Sequence, residues 1–232
     1  MSWFSSWFGY SDPEVRYIPY KSNQSIVLDM DECLIHTWDI TRTKYLKSLG
    51  SPQTVSIRRH LFEVFPEETN KFMPMYGILR PGLIDFLNYC FSRFDNVILW
   101  SAGTDFYVEQ VTDYIFSKTE KVPKKVMARS NCNYQADNGS YAKPLAKLAS
   151  EVDKSLTLEN CFFVDDNPDS GVFNKENHIL IPPFDPDATV ASISKALDTD
   201  RALYDLIEWF ESQEAINCKD VRKIDKSNIF KK

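Results

Sequence analysis

Ile26-Val27-Leu28-Asp29-Met30-Asp31-Glu32-Cys33-Leu34-Ile35-His36 decides the reading of this chain. Residues 25–28 form an apolar, β-branched run too short for a helix, and the run ends abruptly in acid. It predicts a buried strand with two carboxylates, Asp29 and Asp31, just past its carboxyl end. The pattern recurs along the chain. Residues 96–100 run into Ser101-Ala102-Gly103, residues 161–164 into Asp165-Asp166-Asn167-Pro168, and residues 178–181 into Pro182-Pro183. Helical periodicity separates these strands. Leu83, Phe86, Leu87, Cys90, Phe91 and Phe94 make one apolar stripe after Arg80-Pro81-Gly82. Further helices are predicted over 105–116, after Lys143-Pro144, and on the stripes Val190/Ile193/Leu197 and Leu203/Leu206/Ile207/Phe210. Strands alternating with helices predict an α/β fold whose parallel sheet is covered on both faces. Such sheets bind ligands beyond the carboxyl ends of their strands, so the residues that follow the strands matter most.

The rest of the chain is less regular. Val55-Ser56-Ile57 and Tyr76-Gly77-Ile78-Leu79 are expected to pair as strands of a small β insertion. Short strands are expected around Val126 and Tyr134, with a turn at Asn138-Gly139. The expected organisation is an extension over 1–24, one catalytic domain over 25–224 and a tail over 225–232. The chain has 232 residues, 43% of them hydrophobic and 26% charged, which fits a globular domain and excludes disorder throughout. A net charge of −6 argues against direct nucleic-acid binding through phosphate neutralisation. No run approaches the roughly 18 apolar residues of a transmembrane segment. The aromatic start, with Trp3, Phe4, Trp7 and Phe8, carries no Lys or Arg and is not read as a signal peptide. Five cysteines without a Cys-x-x-Cys point to a reducing compartment. The expected location is nucleus or cytoplasm, with the nucleus slightly favoured.

Asp29, Asp31, Ser101, Asp165 and Asp166 fall at the strand ends on one rim of the predicted sheet, and Lys143 precedes the third strand. Carboxylates so grouped repel one another, and Mg²⁺, which takes oxygen ligands, relieves the repulsion. A lysine and a hydroxyl next to such a metal suit a phosphoryl group. One carboxylate then serves as nucleophile and a second as general acid and base.

Residues 26–36 resemble the Asp-x-Asp-Glu-Thr-Leu-Val-His signature of the RNA polymerase II C-terminal-domain phosphatases. These are also called NLI-interacting-factor domains and belong to the haloacid dehalogenase superfamily. Leu79-Arg80-Pro81-Gly82, Trp100-Ser101-Ala102-Gly103, Tyr141-Ala142-Lys143-Pro144-Leu145, Val164-Asp165-Asp166-Asn167-Pro168 and Asp220-Val221-Arg222 resemble the family's further motifs, in the same order. The resemblance spans about residues 24–224. It implies a Rossmannoid parallel sheet flanked by helices, with a small β insertion. It also implies a Mg²⁺-dependent phosphoserine/phosphothreonine phosphatase working through an aspartyl-phosphate. Asp29 would be nucleophile and Mg²⁺ ligand. Asp31 would be the general acid/base, with its backbone carbonyl on the metal. Asp166 would complete the metal set, with Asp165 beside it. Ser101 and Lys143 would hold the phosphate and Arg129 would reach the substrate. Trp38 and Tyr107, with Val55 and Ile57, would line a pocket for a substrate proline. The implied substrate is a phosphoprotein with Ser-Pro sites, such as the RNA polymerase II C-terminal domain.

This chain departs from the family at Cys33, where a Thr is usual; the thiol is expected to tune the loop rather than abolish activity. Ser101 stands for Thr and keeps the hydroxyl, and Pro144 replaces an acid. Plainer readings stand beside these. Acids after strands often cap helices, Lys143 and Arg129 suit solvated surface positions, and Trp38 and its neighbours suit ordinary packing. His36 reads as a structural hydrogen-bonder. At the level of function the alternatives are a phosphatase-fold binding or regulatory protein of weak activity, and a small-metabolite phosphatase.

Overall fold

The computed structural model describes residues 22–38, 55–65 and 75–231. In chain order the elements are β1 (Ser22–Leu28), β2 (Ile35–Trp38), α1 (Val55–Arg58), β3 (Leu61–Val64), β4 (Met75–Leu79) and α2 (Leu83–Arg93). There follow β5 (Phe94–Trp100), α3 (Asp105–Phe116), β6 (Lys125–Met127), β7 (Asn133–Gln135), β8 (Ser140–Ala142) and α4 (Leu148–Glu151). The chain closes with β9 (Cys161–Asp165), β10 (His178–Leu180), α5 (Val190–Thr199), α6 (Ala202–Phe210) and α7 (Gln213–Ile216).

Five strands form a parallel sheet in the order β10-β9-β1-β5-β6. Alternate side chains of β1 serve opposite faces, as strand geometry requires. Ile26 and Leu28 join the larger core with α2, α3 and α6, whereas Val27 packs with Ile98, Phe163 and Leu148 on the other side. Burying one such side chain contributes about 1.5–3 kcal/mol. Differences in β propensity span only about 1 kcal/mol. The apolar run therefore decides the placement of β1.

Register then sets the rim. Leu28 lies opposite Leu99 on one side and Val164 on the other, so β1, β5 and β9 end level. The α2 helix starts where expected, and Gly82 at its N-cap takes φ 76°, a left-handed conformation that glycine adopts freely. Just before it, Arg80 is buried and acts as a strut. Its guanidinium pairs with both oxygens of Asp200 at 2.9 Å and donates to the carbonyls of Pro182 (2.8 Å) and Cys33 (3.0 Å).

The β insertion differs from expectation. Val55–Arg58 is one helical turn, not a strand, and β4 pairs with β2 and β3 instead. Three β-branched or small residues carry too little preference to resist their tertiary setting. This small sheet encloses its own core of Trp38, Ile57, Ile78, Phe184, Ala188 and Ile193. β1 begins at Ser22, and Ile229 is buried against the main core with Phe230 beside it. The aromatic N-terminus, Val55's side chain and residues 66–74 lie outside the described parts.

Candidate active site

Asp29 leaves β1 with its amide donating to the Val164 carbonyl at 2.9 Å, which ties it to the end of β9. The chain then turns sharply. The amides of Leu34 and Ile35 both donate to the Met30 carbonyl, and Glu32 at the crest takes φ 53°. A non-glycine residue in this region carries strain that its surroundings must hold. They do so from two sides: the Phe184 amide donates to the Glu32 carbonyl at 2.7 Å and the Arg80 amide to that of Leu34 at 3.0 Å. Outside the turn, His36 Nδ1 meets Glu32 Oε1 at 3.0 Å, the structural role expected of that histidine. The turn brings Asp31 back over the strand end, so both carboxylates face one cavity of about 470 Å³.

Lys143 is almost fully buried and lies between two acids. Its Nζ donates to Asp29 Oδ1 and, at 2.7 Å, to Asp165 Oδ2. Asp165 Oδ1 accepts the Asn167 amide at 2.8 Å, so both oxygens of Asp165 are engaged. The plain reading of Lys143 as a surface lysine is thereby excluded. Burial by itself would lower the lysine pKa, but Asp29 and Asp165 raise it above the ordinary range and keep the cation charged.

Asp31 is held by two hydroxyls. Ser101 Oγ donates to Asp31 Oδ2 at 3.1 Å and accepts the Gly103 amide at 2.9 Å. Tyr107 Oη donates to Asp31 Oδ1, and Thr37 Oγ1 lies 3.2 Å from the same phenol. Burial pushes Asp31 up to about 6, with the Tyr107 hydrogen bond opposing. Asp166 is pushed up to about 7 by burial and by the charge of Asp165. Asp29 is raised well above the usual carboxylate range, first by burial and then by Asp165, against the pull of Lys143.

Oxygens of Asp29, Asp165 and Asp166 all lie within 4.8 Å of one another. Among the described residues no side chain donates to Asp29 Oδ2 or to Asp166, whereas Asp165 is satisfied by Lys143 and Asn167. An all-oxygen set of crowded carboxylates fits a hard divalent cation such as Mg²⁺. The Asp31 carboxylate stands apart from this group, turned toward Tyr107 and Ser101.

Arg129 lines the cavity; its Nε donates to the Ala102 carbonyl at 2.7 Å and its guanidinium lies 5.1 Å from the Tyr141 ring centre. Trp38 does not line the cavity. It is buried with Ile57 and Phe184, and its Nε1 donates to the Pro186 carbonyl at 2.8 Å. Trp38 and Tyr107 therefore do not share one pocket wall. Thr37 lines the cavity and was not read from sequence. Its signal was strand alternation along β2, legible only once residues 35–38 are assigned as a strand.

A parallel sheet whose strand ends bring together two aspartates in Asp-x-Asp spacing, a serine, a buried lysine and an acid pair defines a member of the haloacid dehalogenase superfamily. Within it, the chain belongs to the NLI interacting factor-like phosphatases, whose family model matches residues 24–222. A search of curated protein sequences returns no match. Among solved structures, the chain resembles an arginine-to-alanine variant of the fission yeast RNA polymerase II CTD phosphatase Fcp1, bound to beryllium fluoride. The TM-score is 0.54 at 19% identity, covering 83% of this chain and 53% of that one. A second structure of Fcp1, described as an essential RNA polymerase II CTD phosphatase, gives a TM-score of 0.57 at 18% identity, covering 88% and 58%. The chain thus spans a little over half the length of each. No described helix is long and apolar enough to cross a membrane.

Proposed function

We propose that this chain is a Mg²⁺-dependent protein serine/threonine phosphatase acting through an aspartyl-phosphate on Asp29. The observation that carries this reading is the pairing of a Lys143-bound Asp29 with a separately held Asp31 on one cavity. A carboxylate oxygen of Asp29 attacks phosphorus while Lys143 holds that carboxylate in place. The bond to the leaving oxygen breaks, and that oxygen takes a proton from Asp31. Asp31, now a carboxylate, then removes a proton from water as the water attacks phosphorus, which frees phosphate and restores Asp29. Asp29, Asp166 and the Asp31 carbonyl would hold Mg²⁺, which when bound neutralises the crowded acids and the phosphate. Ser101 and Arg129 contribute donors toward phosphate and substrate.

The substrate class we infer is a flexible phosphorylated segment with Ser-Pro sites, such as the RNA polymerase II C-terminal domain. Family membership and the likeness to Fcp1 support it, and a nuclear setting would follow. The test is hydrolysis of p-nitrophenyl phosphate with and without Mg²⁺, by wild type and Asp29→Asn. Turnover that needs Mg²⁺ and is lost in the variant is the expected result. A well-folded wild type without turnover, or an Asp29→Asn enzyme as active as wild type, would overturn the mechanism.

A further inference from the structure

Tyr107 sits in the first turn of α3 and is only 6% exposed, so its hydroxyl is aimed by packing rather than by solvent. The ring reaches the site because residue 103 is glycine: a Cβ built there would come within 2.7 Å of a Tyr107 ring carbon. The Tyr107 phenol donates to Asp31 Oδ1, while Thr37 Oγ1 lies within hydrogen-bond distance of the phenol oxygen and is placed to donate to it.

The second hydroxyl on Asp31 has a competing use. Ser101 owns one proton, which here goes to Asp31 Oδ2. A phosphate bound by Ser101 takes that proton, and Asp31 keeps the tyrosine alone. We propose that Tyr107 is a positioning residue for Asp31: its phenol, backed by Thr37, keeps Oδ1 occupied and Oδ2 turned toward the phosphate. The proton that Asp31 transfers then sits on Oδ2. When the bond from phosphorus to the serine oxygen breaks, the electron pair stays on oxygen and the Oδ2 proton joins it. The products are a serine hydroxyl, an Asp31 carboxylate and phospho-Asp29. This role rests on the phosphatase reading above and differs from the proline pocket expected of Tyr107.

The test compares kcat/KM for two leaving groups in the Mg²⁺-loaded enzyme, because that ratio reports phosphoryl transfer to Asp29 and not the later hydrolysis. A phosphoserine peptide needs an acid for its leaving oxygen, whereas 2,4-dinitrophenyl phosphate does not. Tyr107→Phe should lose about ten-fold or more on the peptide relative to its loss on the dinitrophenyl ester. Thr37→Val should shift the same ratio in the same direction by less. Melting curves and circular dichroism on both variants check that they fold, and Thr37→Val keeps the tyrosine ring in place. Equal losses on the two substrates, or no loss on either, overturn the role. A loss confined to peptides with proline beside the phosphoserine overturns it in favour of a proline pocket. A folded wild type inactive on both substrates overturns the phosphatase reading itself and this role with it.

Discussion

A carboxylate buried beside another carboxylate gives up its charge unless a cation lies between them, and Lys143 is that cation for Asp29 and Asp165. Its removal would leave two acids facing each other without compensation, which typically costs about 3–5 kcal/mol. One lysine thus supports the strand ends and opposes the burial and the Asp165 charge that raise the Asp29 pKa. Cys33 shows the opposite behaviour. It lies four residues from Asp29 but packs wholly within the apolar core, and burial pushes its thiol well above the usual range. A thiol in that state is inert, because the thiolate is the reactive form. Iodoacetamide on the native protein should therefore modify the half-buried Cys132 and Cys218, and reach Cys33, Cys90 and Cys161 only after denaturation. Peptide mass spectrometry reads this directly, and native labelling of Cys33 would show that the loop opens.

At the scale of elements, the small sheet depends on a close contact that its sequence hides. Gly77 lies in β4 between Thr37 of β2 and Phe62 of β3. The Phe62 ring covers the glycine so closely that an added Cβ would collide with it. The same ring stacks on Tyr114 of α3 at 4.9 Å between centres, so it has little room to move. Gly77→Ala should destabilise the protein by about 1–3 kcal/mol, the usual cost of overpacking. Thermal melting would show a Tm lower by several degrees, and an unchanged Tm would mean that the sheet relaxes freely. The element expected at Val55-Ser56-Ile57 failed because β propensity mostly reports packing against neighbours, and those neighbours are distant in sequence. Leu61–Val64, with a clean alternation, supplied the strand instead. The apolar stripes of α2 and α6 were legible because periodicity over several positions outweighs any single residue.

Across the whole molecule, the parallel sheet collects acids from strands far apart in sequence. Burial, and then the charge of neighbouring acids such as Asp165 and Glu32, raise the pKa values of Asp29, Asp31 and Asp166 above the unfolded value, to about 6 for Asp31 and about 7 for Asp166. The folded state without metal therefore binds protons that the unfolded chain has lost. Its stability declines as pH rises from the unfolded carboxylate value toward about 7. Mg²⁺ takes the deprotonated carboxylates and competes with those protons. The gain in Tm on adding saturating Mg²⁺ should thus be small near about pH 5.5 and large near about pH 7.5, with roughly 2.7 kcal/mol available at a hundred-fold excess over Kd. Melting curves at both pH values test this. A gain independent of pH would place the cation away from these acids, and removal of Mg²⁺ by a chelator should reverse it.

Local pattern alone determined the class of fold, the four core strands, the main helices and the strand ends that carry Asp29, Asp31, Ser101, Asp165 and Asp166. Short apolar runs that end in acid are a local signal, and burial energy places them with little help from elsewhere. Tertiary structure decided which oxygens are spoken for. It set Lys143 between Asp29 and Asp165, turned the Asp31 carboxylate to Tyr107 and Ser101, and left Asp29 and Asp166 open toward a cation. It also moved Trp38 into a core under α5 and kept Tyr107 at the site. These outcomes depend on distances between side chains 22 to 114 positions apart in the chain, which no local periodicity encodes.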